Sequence, residues 1–120
     1  MTNQAQPSGS EQKIAVDLNN PEFLKSWFAL RDKNEIARVL NTVEKLVQLT
    51  WGQVYRDAGL KWERITHPPV PLPPGIDSLY SIRVTQAPRA VVYRHKEFLR
   101  FLWIAEDHNA TYPKGKKRLG

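Results

Sequence analysis

Leu79-Tyr80-Ser81-Ile82-Arg83-Val84, Pro88-Arg89-Ala90-Val91-Val92-Tyr93-Arg94 and Phe98-Leu99-Arg100-Phe101-Leu102-Trp103-Ile104-Ala105 are the runs whose reading decides the fold. In the first, Tyr80, Ile82 and Val84 share one face and Ser81 and Arg83 the other, the period-two alternation of a half-buried strand. The second is dense in β-formers and follows Pro88, which sits in the preceding turn where its missing N–H harms no ladder. The third is apolar on both faces apart from Arg100, as in a central strand covered on one side and partly on the other. His95-Lys96 supplies the short polar turn between the second and third runs. Beyond the third, the chain runs into Glu106-Asp107-His108 and then Tyr112. Arginines on one sheet face, with a histidine and a tyrosine where a strand ends, form a group suited to handling a phosphodiester.

Upstream of these strands the signals change to helical ones. Ile14, Val16 and Leu18 alternate with Ala15 and Asp17, which predicts a short first strand. Asn20-Pro21-Glu22 then opens a helix, with Asn as N-cap, Pro at the first helical position and an acid in the first turn. Phe23, Leu24, Trp27 and Phe28 give it an apolar stripe. Asp32-Lys33-Asn34-Glu35 resembles a capping box for a second helix. Ile36, Val39, Leu40, Val43, Leu46 and Val47 follow at i, i+3, i+4, i+7 spacing and are read as core, opposite a solvated face of Arg38, Asn41, Glu44, Lys45 and Gln48. Trp51-Gly52 is expected to end that helix, with Tyr55 to Gly59 a turn or helical loop closed by glycine. Leu60 to Ile65 alternates, as a short strand or the approach to one. From His67 to Gly75 the chain holds five of its nine prolines, which marks a stiff connecting loop that cannot enter a central strand.

This order predicts an α+β fold: a small, mostly antiparallel four-stranded sheet with two N-terminal helices packed on one face and the other face partly open. Residues 13–113 form one domain. Residues 1–12 are expected to be a disordered N-terminal tail and residues 114–120 a basic C-terminal tail.

With 120 residues, 41% of them hydrophobic and none of them cysteine, the chain suits a single modest core without disulfides or thiolate metal sites. No apolar run approaches a membrane span, and the N-terminus lacks a basic-then-apolar export pattern, so a cytoplasmic location and no membrane partner are expected. The net charge of +6 is unevenly placed. Residues 1–79 balance nine Lys/Arg against nine Asp/Glu, while residues 80–120 set nine Lys/Arg against Glu97, Glu106 and Asp107. A neutral scaffold followed by a basic sheet and tail points to a polyanion or an acidic protein partner.

The element order, over roughly residues 13–113, resembles the RelE/ParE superfamily of toxins from bacterial toxin–antitoxin pairs, on its messenger-RNA-cleaving side. Leu79 to Val84 is similar to the strand that carries RNA-facing basic residues in these toxins. Pro88 to Tyr93 is similar to the next strand, where an arginine is followed by small or β-branched residues and a tyrosine. Glu106-Asp107-His108 with Tyr112 falls where the family places its last functional residues. Ser81 departs from relatives with a second basic residue there, His108 from those with arginine nearby, and the prolines at 68–74 from the smallest members. The resemblance implies RNA cleavage by 2′-OH attack, often on messenger RNA at the ribosome, no cofactor, and a cognate antitoxin that wraps the basic face.

Such cleavage needs a base for the 2′-OH proton, cations for the charge building on the phosphate and an acid for the leaving 5′ oxygen. Arg83 and Arg89 suit the cations, because a guanidinium grips a phosphate with paired hydrogen bonds. His108 suits proton transfer, with an ordinary pKa of about 6.5. Tyr112 can stack on a base, contact the phosphate or act as base beside arginines. Arg94, Arg100, Lys114 and Lys61 are expected to add RNA-binding charge. His67, His95 and His108 lack ligand spacing, so no metal site is expected. The structural alternative is that Arg83 and Arg89 pair across the sheet, His108 bonds backbone and Tyr112 is a hydrophobic plug. Two functional alternatives stand beside the nuclease: a non-cleaving inhibitor like the gyrase-poisoning branch, and a basic RNA-binding or interaction module.

Overall fold

The computed structural model describes residues 9–84 and 88–105. The element order is β1 (Ala15–Asp17), α1 (Pro21–Phe28), α2 (Lys33–Leu46), α3 (Trp51–Arg56), β2 (Glu63–Arg64), β3 (Tyr80–Arg83), β4 (Arg89–His95) and β5 (Phe98–Ala105). Among the described residues the strands form a five-stranded sheet in the order β1-β5-β4-β3-β2. Every neighbouring pair is antiparallel except β1 with β5, whose parallel register sets Val16 against Leu99. No helix among these residues is long and apolar enough to cross a membrane.

The α+β class and the cover of helices are as expected, with one strand and one helix more than predicted. The extra strand is β2, paired through Glu63–Ser81 and Arg64–Tyr80. It is short because Lys61 adopts φ 52, which breaks the alternation that began at Leu60. The extra helix is α3. Trp51-Gly52 opens it instead of closing α2, which stops at Leu46 with Val47 as C-cap. Thr50 Oγ1 accepts from Gln53 N at 3.2 Å and Gln53 Oε1 accepts from Thr50 N at 2.9 Å, a reciprocal cap. The next free N–H groups, of Trp51 and Gly52, donate to the carbonyls of Gln12 (3.0 Å) and Ser10 (2.8 Å). The segment 9–12 therefore packs on α3, although its composition suggested a tail. Gly52 permits that approach, since a Cβ there would stand 3.0 Å from the Ser10 carbonyl oxygen.

The two capped helices form where the sequence places them. Asn20 Oδ1 accepts from Glu22 N and Phe23 N, and Asp32 Oδ1 accepts from Asn34 N. Phe23, Trp27, Val39, Leu46, Trp51 and Val54 pack on Ile82, Val92, Leu99, Phe101 and Ile104 from β3, β4 and β5. Phe23 meets Phe101 edge-on with centroids 5.2 Å apart. The stripe of α2 is narrower than its periodicity suggested. Val39 and Leu46 are fully buried, whereas Leu40 and Val47, rotated by about 100° around the helix, are exposed.

The far face of the sheet is covered by the proline-rich segment. Ile65, Leu79, Val91 and Leu102 form a second buried cluster there, with Val70, Ile76, Tyr93 and Trp103 packed against it. A bulge in β5 assists: Val91 faces Trp103 and Val92 faces Phe101, so Leu102 is the extra residue.

Candidate functional site

Arg83 and Arg89 stand directly opposite each other in the β3–β4 register, which places both on the face away from the helices. Two facing guanidinium groups repel unless an anion or another acceptor intervenes, and Arg89 has such partners. It is 4% exposed. Its Nε and Nη2 donate to Ser81 Oγ at 3.2 and 2.8 Å, and Nη2 donates to the Lys61 carbonyl at 3.1 Å. Glu63 Oε1 lies 3.6 Å from Nη2, and Glu63 Oε2 lies 3.9 Å from Lys61 Nζ. Ser81, where some relatives of the resembled family carry a basic residue, is thus the hydroxyl that anchors a buried arginine. A buried guanidinium without such partners would be costly.

Glu63 is the group that sequence reasoning did not pick out. Its side chain is 35% exposed, between the Lys61 ammonium and the Arg89 guanidinium. Lys61-Trp62-Glu63 sets two opposite charges two residues apart just before β2 and at its first residue, and that proximity was the available signal. Arg83 is half-buried and its N–H donates to the Leu60 carbonyl at 2.7 Å. It also borders a cavity of about 220 Å³ with Lys45, Gly59 and Leu60, so it sits at the rim where the sheet meets α2.

Asp57 fixes the approach to this cluster. Its Oδ1 accepts from Lys45 Nζ at 3.0 Å and from Leu60 N at 2.9 Å, tying α2 to the turn that leads into Lys61. Burial pushes its carboxyl up, but the Leu60 N–H, the Lys45 ammonium and the Gly59 N–H outweigh burial and hold it below the ordinary aspartate value.

The other expected site residues do not all join the cluster. Arg94 lies on the helix side and is fully engaged: it donates to Lys96 O (2.8 Å), Tyr55 Oη (3.1 Å), Gly9 O (3.1 Å) and Gln12 Oε1 (3.3 Å), and lies over the Trp51 ring at 4.5 Å. Arg100 pairs with Asp17 across β1–β5 and stacks on Phe98 at 4.7 Å. Lys61 does join it. His108, Tyr112 and Lys114 lie outside the described residues. Among the described residues no group of three His, Asp or Glu side chains could hold a metal ion.

Neither a protein-family profile nor a curated protein sequence matches this chain. A solved structure does. A chain of the archaeal RelE–RelB complex from Pyrococcus horikoshii superposes with a TM-score of 0.53 at 16% identity, over 78% of this chain and 94% of that one. The fold is RelE-like. A chain of the YoeB dimer from Staphylococcus aureus covers 80% of this chain and 98% of its own length, at 14% identity and a TM-score of 0.47. At such identities the RelE-like likeness concerns the fold, and any chemistry has to be argued from Lys61, Glu63, Arg83 and Arg89 themselves.

Proposed function

We propose that this RelE-like chain is a toxin-like endoribonuclease that cleaves RNA without a metal by 2′-OH attack, acts in the cytoplasm on messenger RNA at the ribosome, and is neutralised by a cognate antitoxin. The observation that carries this reading is a half-open carboxylate held between two cations, Glu63 between Lys61 and Arg89, on the sheet face that also carries Arg83. In this reading Glu63 takes the 2′-OH proton as the oxygen attacks phosphorus. Lys61 and Arg83 balance the charge gathering on the phosphate oxygens. His108 returns a proton to the departing 5′ oxygen, and Tyr112 positions the substrate. Arg89 is a positioning residue: buried, it orients Glu63 and Ser81 and does not reach the phosphate. Arg100 supports the fold, Arg94 both supports it and adds charge for the polyanion, and Lys114 adds tail charge.

The antitoxin is expected to be acidic, because the whole +6 resides in residues 80–120. The RelE of the archaeal structure is likewise found with a RelB partner.

Purified chain added to a cell-free translation reaction tests this reading. The expected result is truncated messenger RNA and loss of protein synthesis, both reversed by the antitoxin. Intact messenger RNA with undiminished synthesis rejects the proposal. Intact messenger RNA with inhibited DNA supercoiling would move the chain to the non-cleaving branch of the resembled superfamily.

A further inference from the structure

A cleft of about 560 Å³ opens at the end of the sheet where β3 begins and β4 finishes, lined among others by Tyr55, Trp62, Asp77, Ser78, Tyr80 and Arg94. It is well separated from the Arg83–Arg89 pair. Tyr80 is three residues before Arg83 on β3, about 10 Å at the strand rise, and on the opposite face. The size suits a small planar ligand.

Its wall is aromatic. Trp62 and Tyr80 stack with centroids 4.6 Å apart and planes 19° apart, and Tyr55 meets Trp62 edge-on at 5.3 Å. Tyr55 is 44% exposed although its ring belongs to this cluster. Its charged lining residues are Arg94 and Asp77. Arg94 is held by the four acceptors described above, and the lining Ser78 accepts from Arg64 Nε at 3.0 Å. Asp77 is exposed, and among the described residues its carboxylate has neither a hydrogen bond nor an ion pair.

We propose that this cleft is a nucleobase subsite with a preference for guanine. An aromatic wall accepts any base by stacking, and Arg94 attracts the phosphate that accompanies it. The free carboxylate adds selection. The Watson–Crick edge of guanine presents two adjacent donors, N1–H and N2–H, to the two oxygens of Asp77. Adenine, cytosine and uracil each set an acceptor beside their donor on that edge, so one carboxylate oxygen would face a lone pair. A cationic side chain would suit aromatics and Asp77 but would be repelled by Arg94. The inference rests on the RNA reading and extends it: a strand whose phosphate lies at Arg83 would pass the β2 edge and seat a guanosine some nucleotides away, biasing which RNA is bound.

Titration of the full chain with GMP, AMP, CMP and UMP, read by tryptophan fluorescence and calorimetry, tests it without requiring cleavage. GMP should bind saturably and about tenfold or more tighter than the others. Asp77→Asn should remove that preference, and Tyr55→Ala should weaken all four. Absent saturable GMP binding, or a guanine preference that survives Asp77→Asn, would overturn the proposal. Guanosine binding with no RNA cleavage would strike only the nuclease reading, whereas cleavage with no guanosine binding would strike only the cleft.

Discussion

On its helix side the sheet is covered by Phe23, Trp27, Val39, Leu46, Trp51 and Val54, all buried, whereas on its other side the buried cluster of Ile65, Leu79, Val91 and Leu102 is packed by partly buried Val70, Ile76, Tyr93 and Trp103 beneath a proline-rich segment. The first face spends its area on apolar burial. The second gives up part of that area to Lys61, Glu63, Ser81 and Arg89, charged or polar groups that would be costly inside the first core and that hold one another in place, with Arg83 opposite Arg89 in register. The difference shows how a small domain keeps a reactive face: one side supplies most of the stability so that the other can afford fixed charges.

Paired truncations sharpen this contrast most. Phe101→Ala, on the helix side and 1% exposed, should cost about 3–5 kcal/mol. Ile76→Ala, in the partly buried cover of the other face, should cost about 1 kcal/mol. Urea unfolding measures both, and equal costs would break the distinction. Next in size, Arg89→Ala should lose about 1–3 kcal/mol, because it strips hydrogen bonds from Ser81 and the Lys61 carbonyl and leaves Glu63 without its inner partner. A neutral outcome in the same unfolding assay would mean that the buried guanidinium does not hold the face together.

The smallest expected effect is pH-dependent. Asp57 has its carboxyl held below the ordinary value when folded, so its stabilisation is complete above the unfolded aspartate pKa of about 3.9 and is lost as pH falls through the lower folded value. Unfolding midpoints of wild type and Asp57→Asn should therefore differ at pH 7 and converge below about pH 4. A constant difference across that range would show that the tie between Lys45 and the turn before Lys61 owes nothing to ionisation.

What the sequence made legible follows the same division. Caps at Asn20 and Asp32 and the alternation in β3 and β4 are local signals, and they located both long helices and the central strands. Thr50-x-x-Gln53 was an equally local signal, overlooked because Gly52 looked like a stop. Leu40 and Val47 mark where periodicity ends as a guide, since it states that a helix has an apolar stripe but not how much of it the sheet reaches. The pairing of Arg83 with Arg89 depended on the register across Val84 to Pro88, which no local pattern states. As sequence, Arg94 and Arg100 read as RNA-binding charge, and the contacts that fix their guanidinium groups, backbone carbonyls, Tyr55 and Gln12 for one and Asp17 for the other, are tertiary partners invisible to composition. Glu63 was hidden for the same reason: only tertiary placement between Lys61 and Arg89 distinguishes it from an ordinary surface acid.

RNA cleavage by wild type and by Glu63→Gln, in EDTA, with the ends of the products analysed, tests the central assignment most directly. The account predicts 2′,3′-cyclic phosphate and 5′-hydroxyl ends from wild type, a rate about 10²–10⁴-fold lower in Glu63→Gln, and unfolding midpoints that stay close together. Products ending in 5′-phosphate, or a Glu63→Gln variant that cuts as fast as wild type, would contradict it.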